Sequence, residues 1–267
     1  MSRFADDTAV RTIGDHRYGA TMQRGWWVER GPNGGYLAAV VLRAITTDVA
    51  DAARRPRSLT VHYLRPPREG PVEIIVQAER IGRTTTVTTA RMTQDDALIL
   101  LATAVLAIDQ PGPTFAHLPL PEVPPPDALP SFPVGERHPT IRARYEQRVA
   151  IGPLPLGDTP AERAVSGGWI RLADPEPTDT HVIAAFTDAW LPAIFTTLST
   201  LVGVPTIDLT IHFRDAPPSA HDWCFVRFTS RHAADGFVEE DGEIWSRDGR
   251  LLAQSRQMAL AVLAPSR

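Results

Sequence analysis

Between residues 36 and 45 the apolar side chains Tyr36, Leu37, Val40, Val41, Ala44 and Ile45 recur at intervals of one, three and four, which marks one face of an α-helix. The next apolar stretch changes period. Residues 58–67, SLTVHYLRPP, alternate small polar with large apolar side chains and predict a strand. PVEIIVQAERI, TTTVTTARM and ALILLATAVLAI follow with the same character, so the helix leads into an antiparallel meander. The order then repeats. Residues 208–218, DLTIHFRDAPP, restate Leu-Thr-(Val/Ile)-His-(Tyr/Phe) and the Pro-Pro pair 150 residues after the first copy. DAWLPAIFTTLS precedes it as a second helix, and DWCFVRFTS, FVEEDGEIWS and LLAQSRQMALAVL follow as strands. Asp95-Asp96 and Asp248-Gly249 supply the hairpin turns before the last strands. Further strands are expected ahead of each helix, in RTIGDHRYGATMQRGWWV and TIRARYEQRV.

A proline-rich stretch, PGPTFAHLPLPEVPPPDALPSFP at 111–133, separates the copies. Prolines this dense neither join a sheet ladder nor continue a helix, so the segment reads as an extended, semi-rigid spacer. The expected division is residues 1–110, a linker at 111–135, and residues 136–267. Composition narrows the function. A net charge of -4 argues against a nucleic-acid partner. All the basic residues are Arg, fork-shaped donors suited to any phosphate that binds. The single cysteine, Cys224, excludes an intrachain disulfide framework and a thiolate metal cluster. MSRFADDTAV lacks an apolar leader core, and no segment approaches the ~20 apolar residues of a membrane span. A cytoplasmic protein without a membrane partner is expected.

The stretch GPNGGYLAAV at 31–40 places two glycines at a helix start, where Gly is disfavoured by about 1 kcal/mol relative to Ala. One reason is a turn and cap, with Asn33 accepting a backbone N–H. The other is close approach of a polarised oxygen to bare N–H groups at a helix N-terminus. Comparison of the two copies bears on this choice. Registering Asn33 with Asp188, each read as a helix cap, sets Gly34-Gly35 against Ala189-Trp190 and Leu37 against Pro192. Ser58 falls against Asp208, and the hairpin turns set Ala104 against Gln257. The open helix start belongs to the first copy, the carboxylate and amide to the second. A site formed where the copies meet would join Gly34-Gly35 to Asp208 and Gln257, and leave a decayed counterpart.

A helix followed by a curling meander is the hotdog arrangement. The Asn33-Gly34-Gly35-Tyr36 helix start, Asp208 in TIDLTIHFR, the Asp248-Gly249 turn and Gln257 in AQSRQMALAV resemble the acyl-CoA thioesterase II family, or the broader thioesterase-like double-hotdog superfamily, over nearly the whole chain. The resemblance implies an α+β tandem (double) hotdog: two antiparallel sheets, each wrapped around a long central helix, joined by the Pro-rich linker. It also implies an acyl-CoA substrate, a place in lipid metabolism, no metal or other cofactor, and a homo-oligomer, a dimer or larger. Asp208 would be the general base and Gln257 would hold the water. A hydroxyl from Thr229, or from Ser230 if the strand register slips by one, would complete the set. Asn33, Gly34, Gly35 and Tyr36 would bind substrate, with the Gly35 or Tyr36 N–H facing the oxyanion.

His62 and His212 occupy equivalent points in both copies, which favours a structural role. Trp26-Trp27 line an acyl pocket or belong to the core. The chain has no G-x-S-x-G elbow, no H-E-x-x-H zinc site and no G-x-x-x-x-G-K phosphate loop. Two other readings stay open on the same scaffold: a non-catalytic acyl-CoA or apolar-ligand binder, and a hydratase, whose Asp-x-Asn-Pro-x-His type of signature is absent.

Overall fold

The computed structural model describes residues 3–29, 31–132, 139–153, 160–198 and 203–262. The first half runs α1 (Arg3–Asp7), β1 (Arg11–Gly14), β2 (Arg17–Met22), α2 (Gly34–Val49), β3 (Arg55–Tyr63), β4 (Gly70–Ile81), β5 (Thr85–Gln94) and β6 (Ala97–Ala107). The second runs β7 (Tyr145–Ile151), β8 (Ala164–Leu172), α3 (Thr180–Phe186), β9 (Thr206–Phe213), β10 (Cys224–Ser230), β11 (Ala233–Ala234), β12 (Phe237–Ser246) and β13 (Leu251–Leu260).

The described strands form a single antiparallel sheet rather than two, in the order β1-β2-β4-β5-β6-β3-β9-β13-β12-β10-β8-β7, with β11 beside β12. Read inward from either edge the two halves have the same order, and they meet at β3 and β9. Thr60 lies opposite Thr210 there, with their hydroxyls 3.0 Å apart. The repeated LTVHY and LTIHF segments therefore pair with each other across the centre of the sheet. His62 and His212 both face outward and are exposed.

Helix α2 starts where Asn33 accepts from the Tyr36 N–H, 3.1 Å, and ends with Ala50 in the left-handed region. It is buried on nearly every side, Gly35 to Leu42 with Ala44 and Ile45. Each large apolar side chain so enclosed contributes about 1.5–3 kcal/mol. Trp26 and Trp27 belong to this core, Trp26 stacked on Tyr36 at 5.3 Å.

The second half departs from expectation. No α-helix forms over DAWLPAIFTTLS in the described residues 188–198, only a 3-10 turn at Ala193–Thr196; α3 lies upstream and has only seven residues. Asp179 is its cap, accepting from the Val182 N–H at 2.9 Å, and Thr187 closes it by donating to the Ala184 carbonyl at 2.7 Å. Pro192 opposes continuation, since a proline in a helix interior clashes with the carbonyl four residues before it, here that of Asp188.

The Pro-rich segment is more than a spacer. Leu118, Leu120, Val123 and Leu129 pack on a cluster of Trp169, Trp223, Phe225 and Trp245. The Trp169 and Trp245 indoles donate to the Pro124 and Leu118 carbonyls, at 2.9 and 3.1 Å. No helix among the described residues is long and apolar enough to cross a membrane.

Candidate active site

The start of α2 lies against the end of α3, and the two glycines permit that contact. A Cβ on Gly35 would stand 2.4 Å from the Ala185 carbonyl oxygen, and one on Gly34 would stand 2.9 Å from Asp188 Oδ2. Asp188 follows α3 by two residues, so the chain delivers its carboxylate to the N-terminus of α2. Oδ2 accepts from the Gly35 N–H at 3.2 Å and from Asn33 Nδ2 at 2.8 Å. Asn33 Nδ2 also donates to the Asp188 carbonyl at 2.7 Å, while its Oδ1 caps Tyr36. The expected oxyanion donors are thus engaged: Gly35 N–H by Asp188 and Tyr36 N–H by Asn33. Tyr63 closes the other side, its hydroxyl donating to the Gly34 carbonyl at 2.7 Å.

Strand β13 supplies the amide. Gln257 stands opposite Leu209 on β9 and Glu240 on β12, buried on the inner face. Its Nε2 donates to Glu240 Oε1 at 2.8 Å, and its Oε1 accepts from the Thr206 hydroxyl at 2.8 Å. The Gln257 side chain also lies against Asp188 and favours its ionised form. Glu240 Oε2 receives the Ala193 N–H. Asp188, Thr206 and Gly34 keep partial contact with solvent, whereas Gln257 and Glu240 are enclosed behind them.

Burial dominates the electrostatics. It pushes the Asp188 carboxyl up to about 6, against the opposing hydrogen bonds from Gly35, Gly34, Gln257 and Asn33. Glu240 is pushed up to about 7 by burial, with the charge of Asp188 acting in the same direction. The Tyr145 hydroxyl is buried without a hydrogen-bond partner among the described residues, and burial and the Asp188 charge both hold it protonated. A carboxylate titrating near neutrality, with hydroxyl and amide groups beside it, can take a proton from water.

Of the expected residues, the structure brings Asn33, Gly34, Gly35 and Gln257 into one cluster. Asp208 lies elsewhere. It pairs with Met258 and His62, both exposed, whereas Gln257 pairs with buried Leu209. Directly opposed residues share a face of the sheet, so Asp208 sits on the outer face and Gln257 on the inner one. A register shift between Met258 and Ala259 pairs Thr206 with buried Ala259 and turns it inward beside Gln257. Thr229 pairs with Asp241 and shares the outer face with Arg227. Ser230 turns inward, its hydroxyl buried without a partner among the described residues.

Models of acyl-CoA thioesterase domains match both halves, the N-terminal domain over residues 23–107 and the C-terminal domain over residues 120–261. The chain belongs to the acyl-CoA thioesterase family. Its activity is thioester hydrolysis. A hot dog fold protein from Alicyclobacillus acidocaldarius is 27% identical, with 98% of each chain covered and a TM-score of 0.89. The acyl-CoA thioesterase II TesB2 of Mycobacterium marinum is 21% identical over 98% of this chain and 99% of its own, with a TM-score of 0.79. The thioesterase-like protein TwmA of Talaromyces wortmannii is 23% identical, over 96% of this chain and 91% of its own.

Three residues of the thioesterase's cluster escaped sequence reasoning: Asp188, Thr206 and Glu240. Asp188 stood in plain view as a presumed helix cap. Asp179, three residues before Val182 and ahead of an apolar run, carried the better cap signal and would have freed Asp188 for another role.

Proposed function

We propose that this thioesterase hydrolyses an acyl-CoA to free acid and CoA on a double-hotdog scaffold, residues 1–110 and 136–267 forming the two units. Asp188, rather than Asp208, is the general base. Water donates one hydrogen to Asp188 and the other to the Thr206 oxygen, which leaves its lone pairs directed at the thioester carbonyl. The new C–O bond forms as Asp188 takes the proton. Negative charge then passes from the carboxylate to the carbonyl oxygen, next to the same helix N-terminus. The N–H groups and partial positive charge that hold ionised Asp188 are released to the oxyanion at the moment it forms. The C–S bond breaks next, and Asp188 returns its proton to the leaving sulfur. The reading is carried by one observation: the Asp188 carboxylate, held at the start of α2 by Gly35 and Asn33, meets Gln257 there.

Free-thiol release from acyl-CoAs of short to long chain tests this on wild type, Asp188→Asn and Asp208→Asn. Loss of a positioned base is worth 10²–10⁴-fold, so D188N should fall about 1000-fold in kcat. D208N should stay within about threefold, since Asp208 lies outside the cluster. A collapse of D208N with an active D188N would restore the outer-face carboxylate as base. Binding without turnover in the wild type would make the protein an acyl-CoA binder.

A further inference from the structure

Glu240 is a second buried carboxylate that the hydrolytic steps do not use. Both of its oxygens accept hydrogen bonds, one from the Ala193 N–H and one from Gln257 Nε2 at 2.8 Å. The Ala193 N–H cannot reverse, because a backbone amide only donates. Above its raised value of about 7 Glu240 is ionised and only accepts, so there the amide nitrogen of Gln257 must face it. The amide oxygen then faces Thr206, whose hydroxyl must donate, as the 2.8 Å contact records. The polarity of the whole chain is thus set at its buried end.

Resting on the thioester-hydrolase reading, we propose that Glu240 is a positioning residue that fixes the Gln257 amide so that Thr206 spends its proton on Gln257 and offers only lone pairs to the attacking water. A reversed amide would turn the Thr206 hydroxyl toward the water. That hydroxyl would then occupy the very lone pair needed for attack, and the Gln257 oxygen would be set against Asp188.

The counterpart in the first half supports a specific role. Ala104 pairs with Leu59 as Gln257 pairs with Leu209, and the residue across from Ala104 on β5 is Thr88. At this position of the first half no amide needs orienting, and a threonine stands where the second half has its carboxylate.

Glu240→Gln and Glu240→Met separate this role from packing. In E240Q the Ala193 N–H still selects an oxygen, which leaves the new amide nitrogen facing Gln257 and opposes the working orientation. In E240M nothing at position 240 orients the amide, and Asp188 alone does so. Measured at pH 8.5, where Asp188 and Glu240 are both ionised, kcat should fall about 30-fold in E240Q and only about threefold in E240M, with KM within threefold of wild type. A residue that merely filled space would give the opposite order, since Gln is the closer isostere. In a Thr206→Val background the E240Q loss should shrink to under threefold, because no hydroxyl remains to be turned.

An E240M equal to or slower than E240Q, or an E240Q within threefold of wild type, overturns the proposal. So does an E240Q loss carried undiminished into T206V. If E240Q fails to fold, judged by its thermal transition, the E240M loss must likewise vanish in T206V. An inactive wild type sinks the hydrolase reading and this proposal with it. An active wild type beside an unaffected E240Q sinks the orientation alone.

Discussion

The two halves share a strand order but not a helix. Helix α2 has sixteen residues and α3 seven. Aligning their caps, Asn33 and Asp179, sets Asp188 against Leu42, each nine residues beyond its cap. Leu42 is completely buried in the continuing helix. Asp188 has already left its helix and reached the start of α2. Ending one helix early therefore frees a side chain to cross to the other, and a duplicated scaffold acquires a single cluster. The strands agree with this. Pairing places Ala104 and Thr88 in the first half where Gln257 and Glu240 stand in the second, and Pro56 opposite Leu106 where Thr206 stands opposite Ala259.

The contrast breaks most sharply at Gly35. Its Cβ in Gly35→Ala would meet the Ala185 carbonyl oxygen at 2.4 Å and Asn33 Oδ1 at 3.1 Å. The first is backbone at the end of α3 and can yield only if the helices part. Overpacking of this kind costs about 1–3 kcal/mol, and displacing the N–H from Asp188 should lower kcat about 100-fold. Thermal unfolding alongside thiol release measures both. A G35A enzyme of wild-type activity would show that the close contact of α2 and α3 is not what builds the site.

The pH dependence sharpens the same contrast. If Asp188 is the base, kcat/KM should fall about tenfold per pH unit below its raised value of about 6, well above the ordinary Asp range. Stability moves the opposite way. Asp188 and Glu240 both bind protons more tightly folded than unfolded, so they favour the fold in acid and this contribution is lost as pH rises through 6 to 7. The loss should be on the order of 4 kcal/mol between pH 5 and pH 8, read from urea transitions. His16, raised by its hydrogen bond to Asp48, acts with the same sign. Subtracting the E240M profile isolates the Glu240 share, and a wild-type curve that rises toward pH 8 would contradict both assignments.

Much of this architecture is legible in the amino-acid sequence. The repeat of LTVHY and LTIHF located β3 and β9, and matching hairpin turns correctly equated Ala104 with Gln257 because an uninterrupted strand counts residues faithfully. Thr206 was hidden by a local irregularity. It and Asp208 are two apart and would share a face on a regular strand; the shift at Ala259 sends one inward and leaves the other outside. Asp188 was hidden by ambiguity of type, since an aspartate before an apolar run signals a cap whether or not a helix follows. The choice between Thr229 and Ser230 turned on one residue of register, which the pairing of Thr229 with Asp241 and Val165 fixes.

Thr206→Val tests the strand irregularity with a smaller effect. The inner-face hydroxyl would be lost while volume is kept, and kcat should fall about tenfold with KM little changed. An equal loss in Thr229→Val would place the hydroxyl on the outer face instead.

The smallest effect is expected at the start of α3, where the comparison predicts no chemistry. His181 lies between Asp179, 3.0 Å from Nδ1, and Thr46, 3.2 Å from Nε2. The sequence of groups is that of an acid–base–hydroxyl relay. Its last member is spent differently: the Thr46 hydroxyl also lies 3.1 Å from the Arg43 carbonyl of its own helix, where it donates. That bond points its proton back along α2 rather than to the imidazole, leaving no activated oxygen. Among the described residues no carboxylate crosses to this helix start either, because α2 does not end where α3 does. His181→Ala should therefore leave thiol release within twofold of wild type and cost about 1 kcal/mol or less in stability, the worth of an ordinary hydrogen bond. A tenfold loss of turnover with the fold intact would mean that both helix starts contribute, and that the short helix is not what distinguishes them.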